Sequence, residues 1–255
     1  MDAPETTGPG VKSATRTVAL LDFFARQGGM YSLTQIQQEL GYPKSSLYAL
    51  LRTLVQLGWV ETDPTGTLYR IGMRALLVGA SYIEGDPVVG MAHETLEWLA
   101  EVTGETVHFG RLDDHDVVDL SARPSRHNLR PVVRVGRRMP THSTALGKAL
   151  LADQADPLLP DLLERQTART VTDRGELLAE LGRVRERGYA VDREGNSPGV
   201  CCFGVALRLQ RPARDAISVS IPATRLDEVR EREIPALLMQ ARERIEYSAH
   251  HLLHP

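Results

Sequence analysis

Cysteine is almost missing from this chain. Of 255 residues two are cysteine, and they are adjacent, Cys201 and Cys202. Adjacent cysteines rarely reach disulfide geometry, so a reducing cytoplasmic location is expected. The pair also lacks the C-x-x-C spacing of zinc and redox sites. No apolar run approaches membrane-spanning length, so no membrane partner is expected. The start, MDAPETTGPG, has no apolar stretch behind a basic one, which argues against a signal peptide. Excess charge is missing too: the formal net charge is -3, so nothing global points to nucleic acid or to an anionic membrane. His93, His108, His115, His127 and His142 match no local ligand motif such as H-E-x-x-H. Ser143 and Lys148 stand five apart with nothing to support them as a catalytic pair. No catalytic residue, metal or cofactor is expected, and the chain does not read as an enzyme.

What is present is unevenly spread. From Val11 to Ala80 there are seven basic residues (Lys12, Arg16, Arg26, Lys44, Arg52, Arg70, Arg74) and four acidic ones (Asp22, Glu39, Glu61, Asp63). A basic first portion on an acidic chain implies that this portion meets an anion. Residues 13–27 have helical periodicity, with Ser13 as expected N-cap and Val18, Leu21, Phe24 and Ala25 as the apolar stripe, and Gly28-Gly29 as the stop. A second short helix follows, capped by Ser32, with Ile36 and Leu40 facing in and Gly41 as its stop. A third begins after Pro43 and ends near Leu57, carrying Leu47, Leu50, Leu51 and Leu54 on one face. Its other face holds Lys44, Ser45, Ser46, Tyr48, Arg52 and Thr53 and no acid. Then 59–62 and 68–71 read as two strands joined by Asp63-Pro64-Thr65-Gly66 turn chemistry.

Three helices and a hairpin, with a very short turn between the second and third helices, describe a winged helix-turn-helix. A helix that enters a polyanionic groove cannot carry carboxylates on its exposed face. Lys44 and Arg52 suit phosphate, Ser45, Ser46 and Tyr48 suit phosphate or base edges, and Arg70 in the wing suits phosphate. The expected partner is double-stranded operator DNA.

The pattern changes after Gly85-Asp86-Pro87. A helix is expected over 72–82, leaving the first domain as a linker. Beyond it come a long helix closed by Gly104, strands near 105–111 and 116–122, a strand or loop over 130–137, and a helix starting in THSTALGKALLA. Further helices fit 156–166 and 173–187, two strands flank a Gly/Pro/Asn loop after Tyr189, one strand fits 215–223, and two closing helices fit 224–231 and 233–251. The fold class is α+β with an antiparallel sheet. The domains expected are a disordered tail over 1–11, the winged helix over 12–72, a linker helix over 73–85, and a second domain over 86–255.

Seven stretches stand in a recurring order: SATRTVALLDFFA, LTQIQQELGYPKSSLYALLRTLVQLGWVE, YRIG, LAEVTGETVHFGRLD, RVGRRMPTHSTALGKALLA, VRERGYAVDREGNSPGVCC and AISVSIPATRL. Together they resemble the IclR family of transcriptional regulators over nearly the whole chain. The resemblance implies a GAF-like effector-binding domain behind the winged helix, a homodimer or homotetramer, and control, most often repression, by a small organic, aromatic or sugar acid. It implies an effector site made of Met139, the amides near Ala145 and Leu146, Asp192, Cys202, Ser218 and Ser220. Those residue types suit a hydroxylated acid: helix-start amides for a carboxylate, hydroxyls for the rest, and one acid to accept from a ligand hydroxyl. Their other readings are a turn cap for Asp192, inert core for Cys202 and a solvent face for the serines. Gly195, Asn196 and Ser197 depart from the acidic run usual at that point. Arg130 and Arg134 sit in the loop expected over the pocket. The competing reading is a DNA-binding regulator whose vestigial sensor domain takes no small molecule.

Overall fold

A computed structural model describes residues 10–253, with side-chain surroundings given as far as residue 250. The tail expected over residues 1–11 lies, except for Gly10 and Val11, outside the described residues. The chain divides into two compact units, one ending at Gly85 and one beginning at Asp86.

The first unit contains α1 (Lys12–Gln27), β1 (Tyr31–Ser32), α2 (Leu33–Leu40), α3 (Lys44–Gln56), β2 (Val60–Thr62), β3 (Leu68–Ile71) and α4 (Met73–Glu84). The strands form a small antiparallel sheet in the order β1-β3-β2. Sequence patterning misses β1, a two-residue strand too short to show a period. The core joins Leu20, Phe23 and Phe24 of α1 to Ile36 of α2, Leu47, Leu51 and Leu54 of α3, and Val60 and Tyr69 of the wing.

Two expectations for α1 are corrected. Ser13 does not cap it; the N-cap is Val11, and Ser13 lies in the first turn, where its carbonyl accepts from Thr17 Oγ1 at 2.8 Å. Val18 is exposed and the buried face is Leu20, Phe23 and Phe24. Both faces of this helix offer apolar residues, and the larger aromatic area decides which is buried: Phe23 packs edge-on against Phe24 and Tyr31, with ring centroids 5.4 and 5.1 Å apart.

Ser32 closes a reciprocal capping box on α2: the Gln35 amide donates to Ser32 Oγ at 3.3 Å, and the Ser32 amide donates to Gln35 Oε1 at 2.8 Å. Ser32→Ala should lower the stability of this unit by about 1 kcal/mol, read as a reduced melting temperature. An unchanged melt would remove the cap from the account.

The second unit contains α5 (Pro87–Thr103), β4 (Thr106–Asp113), β5 (Asp116–Arg123), β6 (Arg138–Pro140), α6 (Ala145–Asp153), α7 (Arg174–Arg187), β7 (Ala190–Arg193), β8 (Val200–Leu207), β9 (Asp215–Pro222) and α8 (Glu228–Leu253). Asp86 caps α5, accepting from the Val88 and Val89 amides at 2.9 and 3.1 Å, and Pro87 takes the first helical position. Six strands pair antiparallel in the order β6-β5-β4-β9-β8-β7. Every residue of β9 is buried, so this central strand is covered on both faces. Helix α6 packs over the face carrying Ala216, Ser218 and Ser220, while α5 and α8 pack on each other and on the sheet.

Three expected helices are also corrected. Residues 156–166 form no helix. Pro157 and Pro160 remove two amide donors, and the segment instead drops Leu159 and Leu163 singly into the core beside α7. The two closing helices expected over 224–231 and 233–251 are one helix, α8, that runs through Pro235, preceded by a short 3-10 turn over Ala223–Arg225. The buried stripe Ile234, Leu238, Ala241, Ile245 and Ala249 spans the proline, and its burial outweighs one lost backbone bond.

Candidate functional sites

Helix α3 presents Lys44, Ser45, Tyr48 and Arg52 to solvent, with Ser46 half-buried. No side chain caps its N-terminus, where Pro43 is the N-cap. The first-turn amides and the positive dipole end therefore remain available to an anion. Ser46 Oγ accepts from Arg16 Nη1 at 3.1 Å, and the Arg16 guanidinium stacks on Tyr42 at 5.1 Å from the ring centroid. Arg16, on another helix, thus joins this face; nothing in the linear pattern signals it. In the wing, Asp63 builds the turn, accepting from Thr65 Oγ1 and from the amides of Thr67 and Leu68. Those bonds, led by the Thr65 hydroxyl, lower its carboxyl pKa to about 2. Arg70 is exposed but held by Glu61, with Nη2 to Oε2 at 2.8 Å. Its charge is shared with that carboxylate.

In the second unit, the strand register assembles the other candidate residues. Asp192 pairs with Cys202 and Cys202 with Ser220, forming one cross-strand row; Gly204, Ser218 and His108 form the adjacent row. Met139 of β6 and the start of α6 lie over these rows. The result is a cavity of about 290 Å³ lined by Met139, Ala145, Leu146, Asp192, Cys202, Ser218 and Ser220, among others. All seven residues expected from the sequence line it. Both serines are buried, so they do not form a solvent face.

The first turn of α6 reaches the sheet because Gly204 leaves room. A Cβ there would stand 2.8 Å from the Ala145 carbonyl group and 3.2 Å from the Leu146 amide nitrogen. Thr144 caps this helix through the Gly147 amide at 3.0 Å, while the Ala145 and Leu146 amides have no acceptor within the helix.

Asp192 is 1% exposed. Its carboxylate accepts from the Gly195 amide at 2.7 Å and the Asn196 amide at 3.3 Å, so it does cap the turn that follows. A Cβ on Gly195 would stand 2.6 Å from Asp192 Oδ1, so a side chain at this position would require the Asp192 carboxylate to shift. Burial raises the Asp192 carboxyl pKa to about 6, against the pull of Lys148 and the two amides. Cys202 Sγ lies 3.1 Å from Ser220 Oγ. Burial and the neighbouring Asp192 charge push its thiol up to about 12, so it remains a neutral, inert contact.

The family model for the IclR helix-turn-helix domain matches residues 13–64, and that for the bacterial transcriptional regulator IclR C-terminal matches residues 80–247. The chain belongs to the IclR family of bacterial transcriptional regulators. It is 31% identical to the transcriptional repressor IclR of Escherichia coli over 239 residues, covering 91% of this chain and 87% of that protein. It is 32% identical to the HTH-type transcriptional regulator XynR of Escherichia coli, covering 91% and 95%. An IclR regulator from Alicyclobacillus acidocaldarius shares the fold, with a TM-score of 0.82 at 24% identity over 94% of this chain and 100% of that one. An IclR homologue from Microbacterium hydrocarbonoxydans, solved with 4-hydroxybenzoate, has a TM-score of 0.77 at 21% identity, covering 93% and 98%. These relatives are regulators rather than enzymes.

Against the IclR pattern, the cavity has further members that the sequence reading missed: His108, Pro131, Val132, Arg137, Thr144, Asn196, Ser197 and Val200. Arg137, rather than Arg130 or Arg134, is the arginine that lines the wall. Arg130 instead donates to the carbonyls of Ser125 and His127. The alternation of β4 could have flagged His108, whose side chain falls on the face of its cross-strand partner Ser218. His108 Nδ1 lies 3.3 Å from Asp119 Oδ2, with both groups buried.

Residues 195–199 read G-N-S-P-G, the G-x-S-x-G spacing of a hydrolase nucleophile. That motif requires a strand-to-helix elbow, whereas here it is the loop between the antiparallel strands β7 and β8. Ser197 Oγ accepts from Asn196 Nδ2 at 3.4 Å, and among the described residues no histidine hydrogen-bonds to it. Among the described residues, no cluster of His, Cys, Asp or Glu could hold a metal, and no helix is long and apolar enough to cross a membrane.

Proposed function

We propose that this chain is a cytoplasmic repressor of a catabolic operon. In this reading α3 binds operator DNA through Lys44, Ser45, Ser46, Tyr48 and Arg52, and Arg70 reaches phosphate from the wing. The cavity beneath α6 takes a small hydroxylated organic acid, such as a sugar acid or an aromatic hydroxy acid. The observation that carries the reading is the meeting of carboxylate-binding and hydroxyl-binding groups in one small cavity. The α6 amides, Arg137 and His108 suit the acid end. Ser218, Ser220, Asn196 and Asp192 suit hydroxyls, and Met139, Leu146, Val132 and Val200 suit a carbon frame. The volume lies at the small end of ordinary ligand pockets, roughly 300 Å³ and upward. Repression is favoured by relatives such as the acetate operon repressor of Salmonella typhimurium, 30% identical over 92% of this chain.

Self-association into a homodimer or homotetramer is part of the proposal. Helix α4 has no buried residue and exposes Met73, Leu76, Leu77, Val78 and Tyr82, an apolar patch of the kind that marks protein contacts. Effector binding then shifts operator affinity only through a difference in effector affinity between the DNA-competent and incompetent states.

The test is a gel-shift titration on the DNA upstream of the chain's own gene, with and without a panel of hydroxylated acids. Release or tightening by one acid supports the reading. Binding that no acid alters favours the vestigial-sensor alternative, and absence of operator binding removes the DNA reading. Ser218→Ala should leave operator binding unchanged and weaken the effector response by about 1 kcal/mol, roughly fivefold. A normal dose response would take Ser218 out of the site.

A further inference from the structure

We propose that the C-terminal unit carries a second ligand site, a cationic cleft that takes the phosphate group of a small metabolite or free inorganic phosphate. The cleft, of about 220 Å³, adjoins the effector cavity and shares Asp192 with it. Its walls bring five cations together from separate parts of the chain: Lys148 of α6, Arg169 of the segment before α7, Arg183 and Arg187 of α7, and Arg193 of β7. The acids in the same wall are Glu180 and Asp192. A favourable helix dipole accounts for arginines in the last turn of α7. It does not account for Lys148, Arg169 and Arg193 arriving from three other places.

The floor of the cleft is a buried ammonium. Lys148 is 4% exposed, and its Nζ meets one carboxylate, Glu180 Oε1, at 3.1 Å. An ammonium has three donors, so this one has capacity for a further acceptor. Two of the arginines are already neutralised: Arg169 pairs with Glu194 at 2.9 Å, and Arg193 pairs with Glu231. Two are not paired with an acid. The Arg187 guanidinium lies over Tyr189, 4.9 Å from the ring centroid, and donates Nε to the Tyr189 carbonyl, which holds it in place. Arg183 stands four residues earlier on the same helix face, with no hydrogen bond or ion pair among the described residues. A buried lysine beneath one oriented and one uncommitted guanidinium matches the point-charge and forked donors that hold a phosphate. The cleft is too small for a macromolecule to enter, which favours a compact phosphate-bearing ligand.

The shared Asp192 couples the two sites. Lys148 draws its carboxylate toward the charged form, and a phosphate in the cleft competes for that ammonium. Occupancy of the cleft should therefore alter effector affinity in the neighbouring cavity.

The test uses the full-length protein, titrated calorimetrically with inorganic phosphate and with 3-phosphoglycerate at ionic strength held constant with sodium chloride. Wild type should show saturable binding of at least one probe. Saturation by phosphate alone identifies the free ion, and saturation by the ester only identifies a phosphorylated metabolite. R183Q/R187Q should weaken binding at least tenfold, and R183Q alone, exposed on α7 and breaking no contact among the described residues, should weaken it while the unliganded melting temperature stays unchanged. R169Q/R193Q supplies a second variant from the opposite wall, with a smaller loss expected because both arginines are already paired. No binding of either probe, or unchanged binding in R183Q/R187Q, would overturn the proposal. Phosphate binding is read without effector or operator, so its failure is separate from failure of the regulator reading.

Discussion

The double variant Lys44→Ala/Arg52→Ala should bind operator DNA roughly a hundredfold more weakly than wild type. Each side chain is exposed on α3 and makes no ion pair among the described residues, so each charge is available to phosphate. A hydrogen bond to a charged group contributes about 1.5 kcal/mol or more, and two such losses amount to about 3 kcal/mol. The signature lies in the salt dependence. Each lost phosphate contact should reduce the slope of log affinity against log salt by about 1 per subunit. Arg70→Ala should have a smaller effect, because Glu61 already shares that charge. A gel shift or fluorescence anisotropy titration from low to high salt measures both quantities. A double variant with the wild-type slope would show that α3 does not meet the phosphates through these residues. The thermal melt should be unchanged, since neither side chain belongs to the core of α1, α2, α3 and the wing.

Asp192→Asn should make the protein more stable at pH 7.5, by about 2 kcal/mol. Burial raises the folded-state carboxyl pKa from 3.8 to about 6. The folded state therefore holds its proton more tightly than the unfolded chain does. Stability contributed by the protonated form is complete below the unfolded value and is lost as pH rises through about 6. Above that pH the buried charge costs about 3 kcal/mol at about 1.4 kcal/mol per pKa unit. Asparagine removes this cost but can accept only one of the two amide bonds from Gly195 and Asn196, losing about 1 kcal/mol. Below pH 4, where wild type is also neutral, only the lost bond remains and the variant should be the less stable by about 1 kcal/mol. Denaturant titrations at pH 4 and 7.5 measure it. A variant equally destabilised at both values would mean that the turn cap outweighs the charge. Under the proposed function, the same variant should respond poorly to a hydroxylated effector, a stability gain at the expense of function.

Legibility in the sequence followed the range of the interaction responsible. The Ser32 cap, the wing turn at Asp63 and the leucine face of α3 are set by residues within one turn of each other, and each was readable. The alternation of Ser218 and Ser220 on β9 was equally local, although the sequence left two faces open to them. The helix expected over 156–166 was not found because Pro157 and Pro160 outweigh an apolar spacing. The break expected before Pro235 was not found because the buried stripe from Ile234 through Leu238 to Ala249 carries α8 through the proline.

By itself, the sequence determined the succession of a winged helix and an α+β unit, the acid-free exposed face of α3 and the candidate residues Met139, Ala145, Leu146, Asp192, Cys202, Ser218 and Ser220. These follow from local periodicity, turn chemistry and a resemblance spread along the chain. Only the tertiary structure decided which further residues join them. His108 reaches the cavity through the pairing of β4 with β9, Arg137 through the bond its carbonyl accepts from the Asp119 amide just before β6, and Arg16 reaches Ser46 across a helix packing. Lys148, Arg183 and Arg187 meet around one cleft because α6 and α7 pack together. Such meetings depend on strand register and helix packing between residues far apart in sequence, and no short-range pattern records them.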